Sequence, residues 1–270
     1  MKKRIYSIIY LICLILLLNS IPFNLFIMDQ IITFIITLSI KLFSIFYILS
    51  YIKKDNLNKI KTNKLDKSVF KLIPLLLLCC SNFIVVLFQN SELKTSINYF
   101  NIITGLITAV GVGIIEELLF RSQVLEEILR NKNKVSSIFY SSLIFGSVHL
   151  LNISSIASIP IVSVQVAYTF FLGIILAFIY ITTKNIFIPI IFHILFNFIN
   201  DILTIELFKL KWELTFFIIN ILIGLIIFTY VILISFINKE RCDVNAAENL
   251  DNWYLFINDF NGSCCMFYPI

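Results

Sequence analysis

The chain has 270 residues, 59% of them hydrophobic and 14% charged, with a mean hydropathy of +0.96. A soluble domain carries about 25% charged residues, so this composition excludes a soluble globular protein. The net charge of +5 is spread in clusters between apolar runs, which excludes a nucleic-acid groove and reports membrane topology instead.

Ile, Lys, Asn and Phe are over-used, while Gly (7), Pro (5) and Met (3) are scarce. We read this as the bias of an A/T-rich genome and expect a bacterial source. The cysteines, Cys13, Cys79, Cys80, Cys242, Cys264 and Cys265, form no C-x-x-C pair. Neither a disulfide framework nor a cysteine metal site is expected.

Apolar runs long enough to cross roughly 30 Å of hydrocarbon recur along the chain. The first, at 5–22, follows Lys2, Lys3 and Arg4 and is similar to a signal peptide, but it lacks a small-x-small cleavage site and is expected to be a retained span. Seven more are expected at 29–52, 72–89, 99–120, 135–152, 160–182, 186–200 and 214–237. The seventh is short and should sit tilted. Span four is expected to run on to the turn at 131–134, with Glu126 and Glu127 as a solvated extension.

Basic residues set the orientation. Lys2, Lys3 and Arg4, the seven lysines of KKDNLNKIKTNKLDKSVFK, the group Arg121, Arg130, Lys132 and Lys134, and Lys184 all fall on one side of an eight-span threading. The expected fold is therefore an all-α polytopic membrane protein with both termini cytoplasmic. It divides into motif-free spans at 1–98, a core at 99–202, a last span at 203–238 and a polar tail at 239–270.

Ionisable groups at membrane depth cost roughly 2.5–3.5 kcal/mol each on insertion scales, so they mark functional cavities. Both histidines of the chain, His149 and His193, fall inside spans, together with Glu116, Glu117, Arg121 and Asn197. Glu117 and Arg121 stand i and i+4 and can pair, while Glu116 points about 100° away. His193 and Asn197 share a face of span seven. About 15 residues separate Glu116 from the turn at 131–134, and about 15 separate His149 from it, so an antiparallel pair brings them to one depth. A buried polar cavity formed by spans four, five and seven follows.

Such a cavity can activate water with a carboxylate and an imidazole, and can steady an oxyanion with a second imidazole and an amide. Glu116, His149 and His193 are equally a candidate ligand set for a divalent metal such as zinc, with one position left for water. Either route hydrolyses an amide. Lys41, in mid-span two, belongs to no motif and is expected to snorkel or pair with a buried carboxylate.

Three motifs in this order resemble those of the CAAX-protease and bacteriocin-processing family of intramembrane endopeptidases. They are E-E-x-x-x-R at Glu116–Arg121, F-x-x-x-H at Phe145–His149 and H-x-x-x-N at His193–Asn197. The resemblance covers roughly 104–201. It implies that Glu116 and His149 activate water, that His193 and Asn197 stabilise the oxyanion, and that Glu117 and Arg121 shape the site. Many relatives have Gly after the arginine, where this chain has Ser122. The implied partners are the lipid bilayer and a hydrophobic or membrane-anchored peptide substrate, with no nucleic acid. Two other classes stay open: a bacteriocin self-immunity protein, acting with or without proteolysis, and a non-catalytic membrane scaffold.

Overall fold

A computed structural model of the protein describes residues 2–19, 29–54, 60–64, 67–153, 159–209, 222–227, 229–230 and 233. In chain order these build α1 (Lys2–Asn19), α2 (Gln30–Lys54), a 3-10 helix (Lys67–Leu75), α3 (Leu76–Cys79), α4 (Ser81–Phe88) and α5 (Tyr99–Leu119). A π-helical stretch (Phe120–Leu125), α6 (Glu126–Leu129), α7 (Lys134–Ser147) and a 3-10 turn (Val148–Asn152) follow. The series closes with α8 (Ile159–Thr183), α9 (Phe187–Phe196), a second π stretch (Asn197–Leu203) and α10 (Thr204–Leu207). Among the described residues there is no strand, only two isolated bridges, Thr62–Asn185 and Leu93–Phe208.

Among the described residues five helices are long and apolar enough to cross a membrane: Gln30–Lys54, Tyr99–Leu129, Lys134–Asn152, Val162–Thr183 and Phe187–Leu207. A sixth is the pair Val69–Cys79 and Ser81–Phe88 if its 47° bend lies within one span. The chain is thus an all-helical, multi-pass membrane protein. These six correspond to expected spans two to seven. In α1 the apolar stretch is shorter, Ile5–Asn19. Most of the expected eighth span and the whole tail 239–270 lie outside the described residues.

Two expectations need correction. The seventh span is not short: its helix runs on through a π stretch to Leu207, so residues 201–207 belong to it and not to a loop. Glu126 and Glu127 are not solvated. Their side chains are 13% and 10% exposed, because Lys61 Nζ lies 2.6 Å from Glu126 and Arg130 Nε 3.5 Å from Glu127.

Helix α5 is central. Its residues Ile115, Leu118 and Leu119 share one core with Ile8, Leu11 and Ile15 of α1 and Ile48 and Ile52 of α2. Helices α7 and α8 approach through small residues, as membrane helices do when apolar contact with lipid is no worse than contact with a neighbour. Ser137, Ser141, Ser142 and Gly146 are buried on α7, and a Cβ at Gly173 would lie 3.0 Å from that of Ser142. Lys41 packs its stem on Gly111 and has no carboxylate partner among the described residues.

The bend at Cys80 frees backbone groups that lipid cannot satisfy. Asn200 supplies partners from the other side of the bundle. Its Oδ1 accepts from Asn82 N (3.0 Å), its Nδ2 donates to Leu78 O (2.9 Å), and Asn82 Nδ2 donates to Asn200 O (3.2 Å).

The basic turns gather at one end of the bundle. Ile186 N donates to Lys61 O (2.9 Å), and Asn185 Nδ2 donates to Asn63 O (2.8 Å), which ties the 60–64 segment to the α8–α9 turn. The Lys61–Glu126 pair ties the same segment to the α6–α7 end.

Candidate active site

Glu117 and Arg121 are both fully buried. Arg121 Nε donates to Glu117 Oε2 at 2.8 Å and Nη2 approaches Oε1 at 3.4 Å, the i, i+4 pairing expected from the sequence. The pair is not at a helix end, since the helix continues for eight residues past Arg121 to Leu129.

Glu117 has a second partner 76 residues away. His193 Nδ1 lies 2.9 Å from Glu117 Oε1, and His193 Nε2 lies 3.6 Å from Glu116 Oε2. The carboxylate–imidazole contacts of this site therefore belong to His193. With Nδ1 donating to the Glu117 carboxylate, Nε2 is the nitrogen turned towards Glu116.

A close approach of α9 to α5 makes this contact possible. A Cβ at Gly113, one turn before Glu117, would sit 2.8 Å from Ile194 Cγ1 and 3.5 Å from Ile194 N. Glycine at this position lets α9 lie close to α5 without a clash against the Ile194 side chain, which helps the His193 ring reach a carboxylate on α5.

His149 is half-buried in the 3-10 turn that ends α7. Its Nδ1 lies 3.1 Å from Phe145 O. A carbonyl oxygen can only accept, so Nδ1 carries the proton and the neutral ring keeps a free lone pair on Nε2.

Phe145 is completely buried and its ring is the hub of the site. The rings of His149 and His193 meet it edge-on at 5.5 and 5.9 Å, Phe120 at 5.0 Å, and the Arg121 guanidinium lies 4.9 Å from its centroid. The F-x-x-x-H spacing marks this phenylalanine in the sequence, but its role as a hub depends on three other helical segments converging on it.

Glu116, His149, His193 and Asn197 line one cavity of about 350 Å³. Thr108, Ala109, Val112, Phe145, Asn152, Gln165 and Thr169 are also in its wall. The two 15-residue distances to the turn thus bring Glu116 and His149 to the same cavity, and spans four, five and seven all contribute. Span six contributes as well, through Gln165, Tyr168, Thr169 and Leu172, a wall that no sequence motif marks. The helices that carry motifs one and three pass into π stretches at Phe120 and Asn197, within the motifs themselves, a distortion frequent at functional sites.

The family described as type II CAAX prenyl endopeptidase, Rce1-like, has a model that matches residues 98–199. Over this segment, and not over the whole chain, the protein is similar to that family. No curated protein and no solved structure matches the chain. The matched segment begins at the N-cap of α5, where Asn98 Oδ1 accepts from Asn101 N at 3.2 Å, and ends inside the π stretch after motif three. It contains all three motifs of the CAAX-protease family and the main walls of the cavity.

Among the described residues no group of three His, Cys, Asp or Glu side chains is arranged to hold a metal ion. Glu116, His149 and His193 line one cavity without being gathered into such a group. Each histidine has its Nδ1 against another acceptor, Glu117 for His193 and the Phe145 carbonyl for His149, which leaves Nε2 as the nitrogen able to meet a ligand.

Asn200, missed in the sequence, extends the His193–Asn197 spacing by three more residues, and that i, i+4, i+7 series of polar groups was the available signal. It faces the bent helix and not the cavity. Asn152 and Gln165 carried no signal beyond being amides at membrane depth.

Proposed function

We propose that this protein is an intramembrane endopeptidase that hydrolyses a peptide bond of a hydrophobic, membrane-associated substrate. The observation that carries the reading is the shared cavity of Glu116, His149, His193 and Asn197, backed by a buried Arg121–Glu117–His193 chain. A cavity of about 350 Å³ falls at the small end of ligand pockets, which run from about 300 to 1,000 Å³.

Glu116, 20% exposed and without a lysine or arginine partner in the described residues, is the general base. It takes a proton from water, whose second hydrogen is held by the free Nε2 of His149. The water oxygen attacks the scissile carbonyl carbon. Asn197, with the Nε2–H of His193 in its protonated form, donates to the oxyanion as it develops. Glu116 then passes its proton to the departing nitrogen, leaving a new carboxyl and a new amine. Glu117 and Arg121 touch no reacting atom; they hold the His193 ring in place. Substrates reach the site within the bilayer. The gathering of Lys61, Lys184 and the 130–134 turn at one end supports a cytoplasmic placement of that end in a bacterial cell membrane.

Cleavage of internally quenched apolar peptides by the full chain in liposomes tests this reading. Glu116→Gln and His149→Ala are expected to abolish cleavage while unfolding at the wild-type temperature, and a zinc chelator is expected to leave the rate unchanged. Full activity in folded Glu116→Gln protein would overturn the assignment and favour the scaffold reading. Chelator inhibition reversed by added zinc would reinstate the metal-ligand role of Glu116, His149 and His193.

A further inference from the structure

Two amides that belong to no motif meet in the cavity wall. Asn152, at the end of the 3-10 turn after α7, donates from Nδ2 to Gln165 Oε1 of α8 at 2.9 Å. Both side chains line the cavity that holds Glu116 and His193.

The pairing uses one donor of Asn152 and one acceptor of Gln165. Asn152 keeps its Oδ1 acceptor, and Gln165 keeps both hydrogens of Nε2. The neighbouring hydroxyl cannot supply a donor in their place, because Thr169 Oγ1 donates to Gln165 O at 2.7 Å. The cavity wall holds apolar side chains, among them Ala109, Val112, Leu172 and Phe196, beside the polar Glu116, His149, His193 and Asn197. Asn152 is exposed and Gln165 half-buried, so these amide groups are open to a ligand that enters the cavity.

One donor beside one acceptor is the complement of a peptide group. We infer that Asn152 and Gln165 form a clamp for the substrate backbone, with Gln165 Nε2–H donating to a substrate carbonyl and Asn152 Oδ1 accepting from a substrate N–H. The inference rests on the endopeptidase reading and deepens it. Because the clamp reads backbone groups, the site takes an extended peptide segment with little regard to its side-chain sequence. Asn152 and Gln165 are positioning residues, remote from the bond that breaks.

The test is an ester scan of one internally quenched apolar peptide in liposomes, each analogue replacing a single backbone N–H by oxygen. Wild type should cleave the parent peptide and Glu116→Gln should not. In wild type, one ester position should raise KM about tenfold with kcat nearly unchanged. Asn152→Leu and Gln165→Met should raise KM by a similar factor, and in Asn152→Leu the ester penalty should vanish, because the acceptor that read that N–H is gone. Asn152→Ala carries the same cycle should the leucine variant not fold. An ester penalty equal in wild type and in the Asn152 variant, with Glu116-dependent cleavage intact, overturns the clamp alone. Cleavage that does not depend on Glu116 overturns the endopeptidase reading and the clamp with it.

Discussion

The two halves of the helix that bears Glu116 and Glu117 differ in almost every respect. Its first half, from Tyr99 to Val110, turns Tyr99, Ile103, Leu106 and Val110 outward and lends Thr108 and Ala109 to the cavity. The nine residues from Glu117 to Leu125 are all buried, and four of them are Glu117, Arg121, Ser122 and Gln123, each with no exposed surface. Polar residues thus concentrate where packing is densest, directly behind the open space. A hydrolytic site needs room in front for water and substrate, and immobile partners behind to hold the reacting side chains within fractions of an ångström. Adjacent glutamates divide these tasks: Glu116 faces the room and Glu117 belongs to the wall.

The sharpest way to probe this division is to neutralise each glutamate in turn. Glu116→Gln should lower hydrolysis by a factor of about 10³ or more, with an unfolding free energy within about 0.5 kcal/mol of wild type, since its side chain is partly exposed. Equal losses of stability at both positions would erase the distinction between room and wall. On the sealed side, Arg121→Leu leaves the Glu117 charge buried with His193 alone and should cost about 3–5 kcal/mol in denaturant or thermal unfolding in detergent. The pair Glu117→Leu with Arg121→Leu should recover part of that stability but not activity, because the His193 ring would have lost its anchor.

Smaller changes test how the wall is assembled. Gly113→Ala should cost about 1–3 kcal/mol by pushing α9 away from α5, and it should reduce hydrolysis more than this stability loss predicts. Asn200→Ala leaves Asn82 N and Leu78 O without partners at the bend, a loss of about 1–3 kcal/mol readable by thermal unfolding. The weakest effect is expected at Gly111→Ala. There the new methyl meets the Lys41 stem, 2.9 Å from Cδ, and a flexible side chain can move aside. A shift above about 1 kcal/mol would show that Lys41 is held rigidly.

Much of the site is legible in the sequence. The Glu117–Arg121 pair follows from helical spacing alone, and so does the similar height of Glu116 and His149 either side of the 131–134 turn. The three motifs lie inside the segment that matches the family. What spacing could not supply was which histidine meets which carboxylate. The Glu117–His193 contact spans 76 positions and depends on how closely α9 lies against α5 at Gly113, a packing fact with no local periodicity. The same reason hides the Phe145 hub, whose ring is met by Phe120 and Arg121 of the π stretch after α5 and by His193 of α9. The solvated reading of Glu126 failed because its partner, Lys61, is 65 positions earlier in a loop whose position is set by the 185–186 turn.

Composition and period by themselves determined that this chain is a bundle of membrane-crossing helices, because hydrocarbon admits no other backbone arrangement for runs this apolar. They also marked polar residues at membrane depth as the candidate site, because ionisable groups are costly in hydrocarbon. Only the tertiary structure decided their partners. The difference between a carboxylate that faces water and one sealed behind an arginine is made by neighbours distant in sequence. Helix spacing orients a side chain on its own helix, whereas its partner is chosen by the glycines and asparagines that let other helices come close.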